Sequence, residues 1–193
     1  MAKLYFRYGT MGCGKSIDLL KVAYNYRERG QIPLLITSSI DDRYGPCKIT
    51  TRIGLSESAY AFNQQDNVFA YISNIKEEVD VVLVDEAQFF TNQQIRQLSD
   101  VVDILNIPVI CYGLRADFQN KLFCGSEELL AIADKIEELK TMCECGKKAT
   151  CNLRIINNEI ITEGKQIFIG GNESYLPVCR NCFKKYVTMP KNF

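Results

Sequence analysis

Two stretches of this sequence hold groups that phosphate chemistry needs in fixed relation. Gly9-Thr10-Met11-Gly12-Cys13-Gly14-Lys15-Ser16 follows the order G-x-x-x-x-G-K-[ST]. Its glycines let the backbone turn so that several N–H groups converge on one anion. Lys15 would neutralise β- and γ-phosphates, Ser16 offers a hydroxyl to Mg²⁺, and a following helix would turn its positive dipole end to the phosphates. The competing reading is a glycine-rich turn that binds nothing. Further on, Val81-Val82-Leu83-Val84 ends in Asp85-Glu86-Ala87-Gln88. A carboxylate at the tip of a buried strand beside such a loop suits Mg²⁺, so Asp85 is the second expected magnesium residue, with a helix cap or a solvated strand end as alternatives. Adjacent residues of a strand point in different directions, so Glu86 can face a substrate hydroxyl and accept its proton.

A second constellation is made of sulfur. Cys143-x-Cys145 and Cys179-x-x-Cys182 can surround one tetrahedral Zn²⁺ in a closed, structural site. Gly146 eases the turn after the first knuckle. The alternative is four ordinary thiols, and Cys151 is read as a thiol of that kind. The chain has nine cysteines and no histidine. The missing histidine excludes Ser-His-Asp hydrolysis, imidazole proton shuttles and His-ligated metals. No apolar leader or bilayer-length run is seen, which predicts a cytoplasmic protein with reduced thiols and no membrane partner.

Lys and Arg total 23, as do Asp and Glu, so the formal net charge is zero. A protein that lives by gripping a phosphate backbone is usually basic, so no stable nucleic-acid partner is expected. Asp-Glu-Ala-Gln also occurs in helicases. A helicase, however, needs two nucleotide-binding lobes and a cationic strand channel, and 193 residues are one lobe's length. A guanine-specificity Asn-Lys-x-Asp is missing, because Asn120-Lys121 runs into Leu122-Phe123. The tail from residue 141 onward carries eight cations against four acids, which keeps an ATP-gated zinc-ribbon nucleic-acid binder as a competing class.

These groups need elements to hold them. The patterning predicts a strand over Lys3–Tyr8, the glycine turn, a helix over Ser16–Arg29 and a strand over Pro33–Thr37. Asp41–Glu57 reads as a long polar loop. A buried strand is expected over Val79–Val84, a helix over Asn92–Leu105, a strand over Pro108–Tyr112 and a helix over Glu127–Leu139, with Arg115–Gly125 irregular. Alternating strands and helices mean α/β architecture, a parallel sheet covered by helices. After about Lys140 the pattern becomes short strands between cysteine pairs, with turns at Asn157-Asn158 and Glu163-Gly164. The expected organisation is residues 1–140 as a P-loop ATP-binding domain and 141–193 as a small zinc-binding domain.

Together these residues resemble the thymidine kinase family of the cellular and bacterial type, which joins a RecA-like P-loop core to a C-terminal zinc lasso. The resemblance spans essentially the whole chain. It rests on GTMGCGKS, on DEAQFF at Asp85–Phe90, on GLRADFQNKLF at Gly113–Phe123, on the cysteine quartet and on IGGNESYLPVC at Ile169–Cys179. It implies transfer of the ATP γ-phosphate to the 5′-hydroxyl of thymidine, with Glu86 as general base. It implies ATP contacts from Gly9 to Ser16 and from Asp85 to Gln88, Mg²⁺ with ATP, structural Zn²⁺ on the four cysteines, and a homotetramer. Met11, Phe89, Leu114, Phe118, Phe123 and Tyr175 match positions lining the nucleoside pocket. Gln166, Ile167, Phe168, Ile169 and Gly170 match the lasso backbone at the base edge, and Asp41 and Arg43 a pair near the phosphates. Arg115 stands where many members carry Asp, and Asn152 where the animal enzymes carry a base-contacting Thr. A kinase for another deoxynucleoside is the nearest alternative.

Overall fold

The computed structural model describes residues 1–41, 45, 47–168 and 174–188. Its centre is a six-stranded sheet in the order β5-β2-β6-β7-β1-β8. The strands are β1 (Leu4–Tyr8), β2 (Pro33–Ser38), β5 (Tyr60–Phe62), β6 (Val81–Val84), β7 (Val109–Gly113) and β8 (Lys135–Glu138). All neighbouring pairs are parallel. A parallel sheet is covered on both faces, and the residue alternation shows it. Val82, Val84, Val109, Cys111, Leu4 and Phe6 point into one apolar cluster. Val81, Leu83, Ile110 and Tyr112 point into the other.

Helices α2 (Val68–Asn74), α3 (Asn92–Leu105) and α4 (Cys124–Ile132) cover the first face, and α1 (Lys15–Arg27) the second. The start of α3 is set by a capping box, in which Thr91 accepts from the Gln94 amide and Gln94 reaches back to Thr91. Its end is set by Asn106 in the left-handed region at φ 55°. Both boundaries match the sequence reading.

Two expectations are corrected. The polar stretch Asp41–Glu57 is not loop throughout: β3 (Lys48–Thr50) and β4 (Ser56–Ser58) form an antiparallel hairpin. Ile49, 2% exposed, anchors it in the α1-side cluster; strands of three residues, with Ile49 their one apolar side chain, are too short a pattern to predict. The helix expected over Glu127–Leu139 stops at Ile132, and Lys135–Glu138 becomes edge strand β8. The open edge of β1 supplies the reason, since its backbone groups need a partner and β8 completes the ladder. Arg7 Nε then meets Glu137 Oε2 at 2.7 Å.

Strands β9 (Cys151–Ile156), β10 (Glu159–Ile161) and β11 (Tyr175–Val178) make a separate antiparallel sheet, order β10-β9-β11. The β9–β10 turn is Asn157-Asn158, both at positive φ (52° and 64°), as a tight hairpin demands. A small apolar cluster of its own joins Cys143, Ala149, Leu153, Val178 and Tyr186. Helix α5 (Arg180–Thr188), absent from the sequence reading, packs here with Tyr186 buried and Cys182 and Phe183 against the same cluster, a helical spacing that the sequence does carry.

Gly125, at the start of α4, shows how closely the layers meet below the site. A β-carbon there would lie 2.4 Å from the Ala87 carbonyl oxygen and 2.7 Å from that of Phe90. Gly125→Ala should therefore cost about 1–3 kcal/mol of stability, read as a lower urea midpoint. An unchanged midpoint would show that the 87–90 turn moves freely.

Candidate active site

Two clefts open at the C-terminal ends of β1, β6 and β7. The first follows the glycine loop, where Gly14 adopts φ 83° and ψ 24° just before α1 begins, a conformation open to glycine at no steric cost. Met11, Gly12, Gly14, Lys15, Ser16, Asp85 and Glu86 line it, joined by Asp41, Lys48 and Arg52. Gly9, Thr10 and Cys13 form the loop's base outside this lining. The buried Lys15 ammonium donates to the Thr10 carbonyl at 2.9 Å and lies 3.7 Å from Cys13 Sγ. Its hydrogen bonds thus hold it folded over the loop that a phosphate would fill.

Asp85 sits at the tip of β6 with 5% exposure. Ser16 Oγ donates to its Oδ2 at 2.9 Å, and its Oδ1 has no partner among the described residues. Burial first, and the neighbouring Glu86 second, push its carboxyl up to about 7. A buried carboxylate with one orphaned oxygen, beside a hydroxyl, is a donor set that fits a hard divalent cation.

Glu86 follows in the left-handed region, φ 51° and ψ 39°, an uncommon place for a non-glycine residue and one often met at functional sites. This turn takes its side chain out of the strand's line. Gln88 Nε2 donates to Glu86 Oε2, while Gln88 Oε1 accepts from the Leu114 amide at 3.0 Å. Gln88 thereby ties Glu86 to the end of β7, and it faces the second cleft rather than the phosphate loop. Ala87 is buried beside it and lines neither cleft.

The second cleft encloses about 480 Å³ of empty space, part of it open to solvent. Nine residues expected from the sequence line it: Met11, Phe89, Leu114, Phe118, Phe123, Gln166, Ile167, Phe168 and Tyr175. Phe89 and Phe123 pack edge to face, ring centres 5.9 Å apart. Ile169, Gly170 and Arg43 lie outside the described residues. Ala116, Asp117 and Arg154 also line this cleft, and the sequence reading does not single them out. Cys151-Asn152-Leu153-Arg154 alternates apolar and polar, a pattern that reads Asn152 and Arg154 as a solvent face, whereas all four are buried. Asn152 lines the cleft too, and its Oδ1 accepts from the Met11 amide at 2.9 Å. That bond fastens β9 to the phosphate loop.

Met11 and Glu86 line both clefts. A phosphate chain in one and an acceptor in the other would meet at the Glu86 carboxylate.

The sulfurs of Cys143, Cys145, Cys179 and Cys182 all lie within 4.8 Å of one another, with 3.6 Å between Cys145 and Cys179. Tetrahedral Zn²⁺ with ~2.3 Å bonds sets sulfurs about 3.8 Å apart, so the quartet fits. A hydrogen bond from the Cys182 amide draws the Cys179 thiol down to about 7. The protons left behind crowd onto neighbours such as Cys182, pushed up to about 12 by its contact with Cys145. A dication relieves that competition by replacing the protons.

A family profile described as thymidine kinase matches residues 2–183. The chain is 55% identical over 188 residues to a protein named thymidine kinase from Mannheimia succiniciproducens, covering 96% of each. To one of the same name from Haemophilus influenzae strain 86-028NP it is 57% identical over 188 residues, 96% of this chain and 97% of that one. To one from Pasteurella multocida it is 52% identical over 192 residues, 98% of this chain and 100% of that one. Among solved structures, a Bacteroides Pif1 bound to ssDNA overlaps it with a TM-score of 0.40 and 12% identity, over 71% of this chain and 38% of that one. That likeness is too loose to argue from.

Proposed function

The chain belongs to the thymidine kinase family, and on that premise we propose that it transfers the γ-phosphate of ATP to the 5′-hydroxyl of thymidine, giving ADP and dTMP. The observation that carries this reading is the pair of walls shared by the two clefts, Met11 and Glu86. The loop cleft takes the triphosphate. Lys15 neutralises its β/γ end, and the amides at the start of α1 face the same oxygens. The aromatic cleft takes the nucleoside, with Phe89, Phe118 and Phe123 enclosing the base and excluding water. Glu86 accepts the 5′-hydroxyl proton as that oxygen bonds to the γ-phosphorus, and the bond to ADP breaks. Ser16 and Asp85 are the residues suited to hold Mg²⁺, which would supply charge neutralisation to the triphosphate. An uncharged pyrimidine nucleoside suits a cleft walled mainly by aromatic and aliphatic groups. The same reading extends to a cytoplasmic homotetramer with no stable nucleic-acid or membrane partner. No helix among the described residues is long and apolar enough to cross a membrane.

The test is ADP release with ATP and each of the four deoxynucleosides in turn. Thymidine should be strongly preferred. Equal or better use of another deoxynucleoside would replace the acceptor, and release stimulated only by single-stranded DNA would replace the reaction.

Zinc belongs to this reading through the position of the cleft. Segment 166–168 and Tyr175 lie between the two cysteine pairs in sequence and line the aromatic cleft. A closed Cys₄ site is coupled to folding of the unit that bears it. Cys179→Ser should therefore lower bound zinc from about one per chain and abolish thymidine binding in calorimetry, while ATP binding stays measurable. A metal-free wild-type protein with full activity would reduce the quartet to ordinary thiols.

A further inference from the structure

Strand β9 carries a cation to which the mechanism gives no task. Arg154 is 3% exposed and stands in the wall of the aromatic cleft. Its hydrogen bonds all go to neutral oxygens. Nε and Nη2 donate to the Tyr175 hydroxyl at 3.2 and 2.9 Å, Nη1 to the Lys165 carbonyl at 2.8 Å, and Nη2 to the Gln166 carbonyl at 2.9 Å. The guanidinium carbon lies 3.7 Å from the centre of the Phe118 ring. Tyr175 in turn donates to the Phe168 carbonyl at 3.0 Å.

Burying a guanidinium is unfavourable unless its N–H groups find acceptors and its face finds an aromatic ring. Here most of the acceptors belong to one short segment, 165–168, directly or through Tyr175. If that segment lifted away, Arg154 would lose the Lys165 and Gln166 oxygens, and the Tyr175 hydroxyl that it also holds would lose the Phe168 carbonyl. Closure of the segment and satisfaction of the cation are therefore one event. A second tie works from the opposite side, where Gln166 Nε2 donates to Asp117 Oδ2 at 3.0 Å.

We propose that Arg154 is the positioning residue of the nucleoside site: stacked on Phe118, it latches segment 165–168 over the aromatic cleft, so that Ile167 and Phe168 form a standing wall before the acceptor arrives. This rests on the aromatic cleft being the nucleoside site. Lysine cannot take the part. Its ammonium is a point donor, and the latch needs a flat fork that serves separate acceptors while stacking on a ring.

The test uses the full chain with Arg154→Lys, Arg154→Met, Arg154→Ala and Tyr175→Phe. Losing one or two buried hydrogen bonds to the segment should raise the KM for thymidine about 10- to 100-fold in the Arg154 variants. Tyr175→Phe should raise it less, and the KM for ATP should hardly move. Free guanidinium ion at millimolar concentration should lower the raised KM of Arg154→Ala and do nothing for the wild type, a rescue that a merely structural role would not give. An unchanged thymidine KM in Arg154→Lys and Arg154→Met overturns the latch, as does a folded, ATP-binding Arg154→Ala that guanidinium leaves unimproved. Should Arg154→Ala fail to fold, Arg154→Lys and Tyr175→Phe decide, since both keep the volume, and a wild-type KM in both overturns it. Failure of the wild type itself to phosphorylate thymidine is a different result and counts against the reading of the cleft.

Discussion

Glu86→Gln lowers turnover by a factor of about 10²–10⁴ while ATP still binds. The substitution keeps the size of the side chain and an amide oxygen that can still accept from Gln88, so the turn beyond β6 has no reason to move. It removes only the ability to take a proton. The strained backbone at φ 51° is also kept, since glutamine tolerates that region about as well as glutamate does. A loss confined to the chemical step shows in a single turnover with both substrates bound. Near-normal turnover with chemistry limiting would mean that the 5′-hydroxyl loses its proton to another group.

Lys15→Ala should reduce phosphate transfer by about 10³-fold or more, because it deletes a fixed charge aimed where negative charge moves in the transition state. Lys15 is 9% exposed and its ammonium is bound to the Thr10 carbonyl, so it is already largely desolvated and held at the loop before ATP arrives. That preorganisation makes it worth more than a lysine drawn in from solvent. The fold should survive by circular dichroism, since the glycine turn and α1 are set by backbone geometry and by Leu19, Leu20 and Ala23 against the sheet. A Lys15→Ala variant that phosphorylates thymidine normally would remove the phosphate role from the loop.

The parts of this molecule readable from sequence are those where one local rule acts alone. The glycine loop is read because glycine takes its left-handed turn at no steric cost, and β6 because a strand buried on both faces is uniformly apolar. α3 carries its own cap. The cysteine quartet is read from its two close pairs, which the structure brings within 4.8 Å of one another. The unreadable parts depend on something distant. Lys135–Glu138 is a strand because β1 has an open edge, and nothing within those four residues says so. The hairpin around Ile49 is anchored by one apolar side chain packed with Leu19, Leu20 and Ala23 of α1, which lie far off in sequence. Arg154 is hidden in the sequence because its partners, Phe118, Lys165, Gln166 and Tyr175, come from other parts of the chain. Gln88 groups with the phosphate loop by its neighbours in sequence, yet its two hydrogen bonds place it between Glu86 and the end of β7.

One measurement bears most directly on a reaction centred on Glu86: the fate of the label when the purified chain is given ATP labelled at its γ-phosphate, Mg²⁺ and thymidine. The two clefts joined at Met11 and Glu86 predict that the label appears on the 5′-oxygen of dTMP, one for each ADP formed. Label found only as free phosphate, with thymidine recovered unchanged, would mean that water and not the nucleoside stands at Glu86, and would contradict the assignment.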